Sequence, residues 1–288
     1  MELVYQNDAG ADVTLAGAGS ESDTPFALTA AQGLYGLSSS IRLSDTGGET
    51  VWVSTRIQPR SIRIEGAILA DVATNRLKLL ACLSPLTPGW LTLKREDTFE
   101  HIRRIRCHIQ EAPAFSQSDG TRFHAVLIAP SLYWEDGDGD TTAMVSGWTG
   151  GIEFPYEIVN TFEFGWRAPG TSVNVHNFGD VHTGLVFKML AFGPVVNPEL
   201  LQTDTSERIR LIAVFRPGDE LTVSTVTNAK RATITRADGS TENGMPMLDP
   251  QSSFISLRPG DNLLRVSADS GEEAMESAVS FRARYLGV

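Results

Sequence analysis

Apolar and polar residues alternate with a period of two through much of the chain, and this pattern predicts short strands. From Arg60 to Ile68, Ile62, Ile64 and Ile68 fall on one face, with Arg63 and Glu65 on the other. From Arg104 to Gln110, Ile105, Cys107 and Ile109 oppose Arg104, Arg106, His108 and Gln110. Phe123, Ala125 and Leu127 mark the inward face of a following strand, and Trp90 to Lys94 forms another. Near the start, Leu3–Tyr5 and Asp12–Leu15 form the arms of a hairpin around Asn7-Asp8-Ala9-Gly10, while Phe26 to Gly36 is apolar but broken by glycine, a loop or a strand. One segment has helical spacing instead. From Thr74 to Leu83, Thr74 is placed to cap, and Leu77, Leu80 and Leu83 share a face until Ser84-Pro85 and Pro88-Gly89 end the helix.

Asp136-Gly137-Asp138-Gly139-Asp140 interrupts the pattern after Tyr133-Trp134. It divides the chain into residues 1–138, a mainly β domain with one helix, and residues 139–288. No helix is expected after this point. Strands are expected at Thr183–Phe192, Ile209–Phe215, Leu221–Val226, Ala232–Arg236, Phe254–Leu257, Leu263–Val266 and Val279–Tyr285. Asp238-Gly239 is a hairpin turn, and Arg-Pro-Gly-Asp-x-Leu occurs twice, at Arg216–Leu221 and Arg258–Leu263. In each, Pro presets φ and Gly accepts φ > 0, as a type II turn requires. Seven or more such strands point to a β-sandwich.

Composition changes this picture in two ways. The 288 residues are 41% hydrophobic, enough for packed cores, and no apolar run approaches the roughly 20 residues a membrane helix needs. The start lacks a basic region leading into an apolar run, so no secretory signal is read there. The net charge is −11, divided evenly between the two halves, which argues against binding to nucleic acid through its phosphates. Of 24 basic residues, 20 are Arg; guanidinium suits planar pairing at interfaces, although genomic base composition produces the same bias.

Candidate chemistry is sparse. No phosphate-binding loop, dinucleotide fingerprint, zinc-protease helix or nucleophile elbow is present, and Gly17-Ala18-Gly19 reads as a loop. Asp136, Asp138 and Asp140 have the 1, 3, 5 spacing of a calcium loop. Positions six and twelve are Thr141 and Gly147 rather than Gly and Glu, so the string reads as a solvated linker with a calcium site as the alternative. His101, His108, His124, His176 and His182 match no zinc spacing, and Cys82 and Cys107 sit in apolar stretches as small buried hydrophobes. Glu96-Asp97 with Glu100, and Glu272-Glu273 with Glu276, read as solvated acidic faces rather than a glycosidase pair. The aromatics Trp148, Phe154, Tyr156, Phe162, Phe164 and Trp166 fill a core or an interface, or stack on a sugar. No catalytic, cofactor-binding or metal residue is expected, and the chain is not read as an enzyme.

The order of these segments resembles the distal tail protein (Dit) family of long-tailed, non-contractile phages. The likeness is carried by RSIRIEGAIL, ATNRLKLLACLSPL, GWLTLKRED, RRIRCHIQEA and RFHAVLIAPSLYWED in the first half. In the second it is carried by GDVHTGLVFKMLAFGPVVNPEL, TITRADGST, SSFISLRPGDNLLRV and AVSFRARYLGV. The first 50 residues, rich in Gly and Ser, match poorly. The resemblance implies a split β-barrel-like N-terminal domain with one helix, followed by a galectin-like β-sandwich. It also implies a homohexameric ring at the tail tip, assembled in the bacterial host cytoplasm. Such a ring joins the tail tube protein to a tail-associated hub or fibre protein and leaves a channel through which DNA passes without specific binding. Galectin-like describes the fold only, and the family has no catalytic residues to carry over. Arg104 and Arg106 are expected to meet acidic neighbours across a ring interface. The alternative reading is a carbohydrate-binding β-sandwich that uses the aromatics from Trp148 to Trp166.

Overall fold

The computed structural model describes residues 1–16, 24–95, 101–146, 148–150, 165–167 and 172–288. The chain forms two compact units: Met1–Gly139 together with Arg284–Val288, and Asp140–Ala283.

The first unit contains β1 (Glu2–Asn7), β2 (Asp12–Ala16), β3 (Phe26–Gln32), β4 (Ser39–Thr46), β5 (Glu49–Ile57), β6 (Arg60–Ile68), α1 (Val72–Cys82), β7 (Gly89–Arg95), β8 (His101–Phe115), β9 (Arg122–Ala129) and β10 (Trp134–Asp136). Its main sheet is antiparallel, in the order β2-β1-β7-β8-β9-β6-β3. The long β8 joins its two halves: residues up to Cys107 pair with β7, and those from His108 pair with β9. Bulges at Ile109/Glu111 and Glu111/Ala114 bend the strand where Pro113, which has no N–H for a ladder, is buried. The hydroxyl of Thr24, just before β3, donates to the Thr14 carbonyl of β2, so the two edge strands approach without a continuous ladder. The expected inward residues of β6, β8 and β9 all enter one core with Leu3, Tyr5, Leu91 and Trp134.

The helix forms at the expected place but is rotated. Its buried residues are Asn75, Leu79 and Cys82, spaced four and three apart. Leu77 and Leu80 face outward, and Leu77 is 69% exposed. Thr74 is not the cap; Asp71 holds that position with φ 45° and no side-chain cap bond. Of the leucines read as an inward stripe only Leu83, just past the helix, is buried; Asn75, which donates to the Ala70 carbonyl, Leu79 and Cys82 take the inner positions of the helix itself.

The last residues return to this first unit. Trp134 and Glu135 pair with Tyr285 and Arg284. Arg60 is buried, and among the described residues it has no carboxylate partner. Its guanidinium donates to the carbonyls of Gly33, Leu34, Gly36, Leu132 and Leu286 and lies 6.0 Å from the Trp134 ring centre. The expected strand Val279–Tyr285 is therefore two strands, with the second contributing to the other unit.

The second unit contains β11 (Thr141–Ser146), β12 (Trp148–Gly150), β13 (Gly165–Arg167), β14 (Ser172–Asn177), β15 (Thr183–Ala191), β16 (Val195–Val196), β17 (Glu199–Gln202) and β18 (Glu207–Arg210). It continues with β19 (Val214–Phe215), β20 (Glu220–Ser224), β21 (Arg231–Thr235), β22 (Thr241–Asn243), β23 (Ser256–Leu257), β24 (Gly260–Ser267) and β25 (Met275–Phe281); β26 (Arg284–Tyr285) is the strand in the first unit. One sheet runs β11-β25-β15-β20-β21-β22 and another β14-β24-β17-β18. Their inner faces, including Leu185, Phe187, Val223 and Val279 from one and Val175, Leu200, Ile209 and Leu264 from the other, form a single sandwich core. The expected strand Ile209–Phe215 is broken into β18 and β19.

Both Pro-Gly turns place Gly at positive φ, Gly218 at 88° and Gly260 at 84°. They are locked by different residues. Buried Asp219 accepts from the amides of Arg216 and Ala237 and from the Arg236 guanidinium. Buried Asn262 accepts from the Arg258 amide and donates to the carbonyls of Arg258, Gly260 and Val175. Burial opposes the charge on Asp219, but these donors outweigh it and hold its carboxyl below the ordinary range.

Two predictions follow from this packing. In denaturant titrations, Leu79→Ala lowers stability by about 2–5 kcal/mol, whereas Leu77→Ala stays within about 0.5 kcal/mol; the reverse order would restore the first-read helix face. The depressed Asp219 carboxyl contributes stability that is present above the unfolded value of about 3.9 and is lost as pH falls through its folded value. The second unit therefore loses stability on acidification below about pH 4, and Asp219→Asn, weaker at pH 7, flattens that loss. Equal acid sensitivity in both proteins would count against it.

Candidate assembly interface

No residue of the β4–β5 hairpin belongs to a core. Gly47 and Gly48, at φ 64° and 88°, supply the two left-handed residues of its tip, and the base is closed by the Gln58 amide donating to the Ser38 carbonyl. Every residue of both strands is exposed. Trp52 is 62% exposed, and Ile41, Leu43, Val51 and Val53 are also open to solvent. Leu43 and Trp52 are cross-strand partners beside a bulge. The Trp52 indole donates to Thr55 Oγ1 at 2.9 Å, and the Thr50 hydroxyl donates to Asp45, so these side-chain bonds stay within the hairpin. Among the described residues neither strand pairs outside the hairpin. Such a ribbon is marginal in water, and its edges carry unpaired backbone groups beside large apolar side chains.

This feature was missed from sequence because Val51-Trp52-Val53 is a continuous apolar run in a Gly- and Ser-rich region rather than an alternating strand. The available signal was Gly47-Gly48 placed between Ile41-Arg42-Leu43 and that run.

A cleft of about 510 Å³ opens on the outer side of β3, β6, β9 and the end of β8. Thr29, Arg63, Glu65, Phe115, Arg122 and His124 line it, with Gly66 and Phe123 in its wall. Gly66 is required there: a Cβ would lie 2.7 Å from the Ala27 carbonyl oxygen and 2.8 Å from the Phe123 ring. Arg76 of α1 reaches over the Phe115 ring, 4.6 Å from its centre. At the same end of the sheet, the Ser116 hydroxyl and the Thr121 amide hold the Asp119 carboxyl down to about 2.

The arginines of β8 have acidic neighbours within the chain. Arg106 is paired with Asp8, and Arg104 approaches Glu135 at 3.9 Å; their guanidinium carbons lie 5.4 and 4.4 Å from the Trp90 ring centre. Arg103 lies over Tyr285 at 3.6 Å and meets Asp136 at 3.8 Å. The acidic partners of Arg104 and Arg106 are thus found within one chain.

The other singled-out residues are dispersed. Asp136 accepts from the Asp138 amide, and within the second unit Asp140 accepts from Arg282 Nε at 2.7 Å. Among the described residues, no group of three or more His, Cys, Asp or Glu is placed to hold a metal. His108 lies in β8, His124 lines the cleft, and His176 contacts Asp261 at 2.6 Å on the surface; His182 precedes β15. Cys82 and Cys107 are buried free thiols pushed up to about 11 and about 12 by burial, which suppresses the nucleophilic thiolate. Glu272 and Glu273 begin a 3-10 turn, and Glu276 lies on β25 opposite Leu190. Gly17-Ala18-Gly19, Glu96, Asp97, Glu100, Phe154, Tyr156, Phe162 and Phe164 lie outside the described residues, as does the side chain of His101. For Trp148 and Trp166 only the backbone is described, in the antiparallel pair β12–β13.

Residues 178–285 match a family model described as the siphovirus-type tail component, C-terminal domain. Among solved structures, the Dit protein of phage SPP1, described as a paradigm of the hub adsorption apparatus in phages infecting Gram-positive bacteria, aligns over 99% of each chain. Its TM-score is 0.69 at 14% identity. The baseplate of phage P2 in its activated conformation with Ca covers 100% of this chain and 99% of that one, with TM-score 0.52 at 10% identity; the form with Sr gives 0.51 at 10%, again covering 100% and 99%. No curated protein matches by sequence. Residues 178–285 are thus similar to the siphovirus-type tail component C-terminal domain, and the chain as a whole shares the fold of the SPP1 distal tail protein.

Proposed function

We propose that this protein is a structural component of a phage tail tip that assembles with copies of itself into a hexameric ring. The ring connects the tail tube protein to a hub or fibre protein below it and surrounds the path of the DNA. The observation that carries this reading is the β4–β5 hairpin, whose apolar side chains and strand edges have no partner strand among the described residues. Burial of an apolar surface at about 25 cal/mol per Å² favours a partner chain over solvent. The fold shared with the phage proteins supports the tail setting, and those relatives are structural parts of tails rather than enzymes.

Charge fits the same role. Six copies at −11 each bring −66, which disfavours retention of a polyanion passing through the ring. Assembly takes place in the host cytoplasm and the finished protein resides in the virion.

Light scattering on the full chain checks the reading. A ring of six 31.2 kDa chains has a mass of about 187 kDa. Replacing residues 41–55 by a short Gly-Ser link is expected to reduce this to the mass of one chain while the unfolding transition of the second unit is retained. A wild-type protein that stays at one-chain mass at high concentration contradicts the ring.

A further inference from the structure

Three stretches of the first unit meet at one buried side chain. Arg60 begins β6 directly after the hairpin, and its guanidinium reaches back to the loop that leads into it. Nη1 donates to the carbonyls of Gly33, Leu34 and Gly36 at 2.8, 3.0 and 2.9 Å. Nη2 donates to Leu286 at 2.6 Å and to Leu132 at 3.4 Å. One nitrogen thus holds the entry to the hairpin, and the other holds the segment 284–288. The guanidinium is planar and rigid, so its two ends do not move independently. A buried cation also needs its acceptors, because each one lost leaves a donor uncompensated. Without Leu286, Nη2 keeps only the long contact to Leu132.

Residues 284–288 follow the second unit in the chain but are built into the first. Arg284 and Tyr285 pair with Glu135 and Trp134. The Arg103 guanidinium lies over the Tyr285 ring at 3.6 Å, and Tyr285 and Val288 pack against the core. Gly287 rests on the loop before the hairpin: a Cβ there would lie 2.6 Å from the Tyr35 carbonyl oxygen. The loop 33–36 therefore meets this segment twice, through Arg60 and through Gly287. At the foot of the hairpin the Gln58 amide donates to the Ser38 carbonyl at 2.8 Å, next to the paired residues Ser39 and Ile57.

We infer that residues 284–288 are a latch and that Arg60 is the positioning residue through which it acts: the seated segment fixes the direction in which the β4–β5 hairpin leaves the sheet. When the segment is withdrawn, Nη2 loses its short bond, the guanidinium turns toward water, and the carbonyls of 33–36 are released with it. The foot of the hairpin then opens. A shift of the chain where it leaves the second unit is carried to the hairpin in this way, over contacts that lie within the first unit. Such coupling is reciprocal, so loosening the Arg60 end also loosens the segment. The latch does not rest on the ring reading and operates in a single chain.

Amide hydrogen exchange on the protein at one-chain mass tests it, with three variants. Gly287→Val blocks the seat, a chain shortened by residues 284–288 lacks the latch, and Arg60→Met keeps an apolar stem without the fork. The first two are expected to speed exchange at Gln58, Ser39 and Ile57 by about tenfold, with β1, β7 and the second unit unchanged. Arg60→Met should speed exchange at the same positions and also at Arg284 and Tyr285. Combined with Gly287→Val it should add little at Gln58, since both break one connection. A wild-type rate at Gln58 in Gly287→Val or in the shortened chain overturns the latch. So does faster exchange spread evenly over the first unit, which is the mark of lost general stability. Arg284 and Tyr285 as protected in Arg60→Met as in wild type would remove Arg60 from the connection. Should Arg60→Met not fold, Gly287→Val decides alone.

Discussion

The constraint on which the assembly account depends is that strand edges and large apolar side chains do not remain in water without cost. The cores of the two units meet it, while apolar side chains such as Leu69, Leu86 and Phe178 stand singly on the surface. The edges of the main sheet approach one another, the sandwich faces bury one another, and the buried guanidinium of Arg60 is surrounded by carbonyls. The β4–β5 hairpin differs from those single residues, because both strands are exposed along their whole length. The proposed ring would resolve it by association, which ties a local backbone problem to the proposed function of the chain.

The remaining architecture supplies a rigid base. β3 and β6, which flank the hairpin, are paired with each other, and β6 is also paired with β9. Arg60 stands at the start of β6 and binds carbonyls from Gly33, Leu34 and Gly36 just before the hairpin, together with Leu286 near the chain's end. One buried cation thus fixes the hairpin's approach and the returning terminal segment. The intrachain pairing of Arg106 with Asp8 and the approach of Arg104 to Glu135 have a similar local role.

Much of the fold was legible because period-two alternation and turn chemistry are local signals. β6 was read with its inward isoleucines, β9 with Phe123, Ala125 and Leu127, and both Pro-Gly turns with glycine at positive φ. What failed depended on tertiary context. The helix has two competing stripes, and Asn75 entered the interior because its amide finds the Ala70 carbonyl, turning Leu77 outward. The final alternating run continues through Ala283, but Arg284–Tyr285 joins the other unit, a partner choice that periodicity does not encode. The hairpin was missed because the apolar run Val51-Trp52-Val53 does not alternate, and the short Ile41-Arg42-Leu43 alternation lies in a Gly- and Ser-rich stretch.

Hydrogen–deuterium exchange along residues 39–57, measured at concentrations where the chain is assembled and where it is dissociated, tests the central claim most directly. The account predicts slow exchange of the β4 and β5 amides in the assembled protein and fast exchange once it is diluted apart. Equally fast exchange in both states would show that the hairpin finds no partner on assembly, and would contradict it.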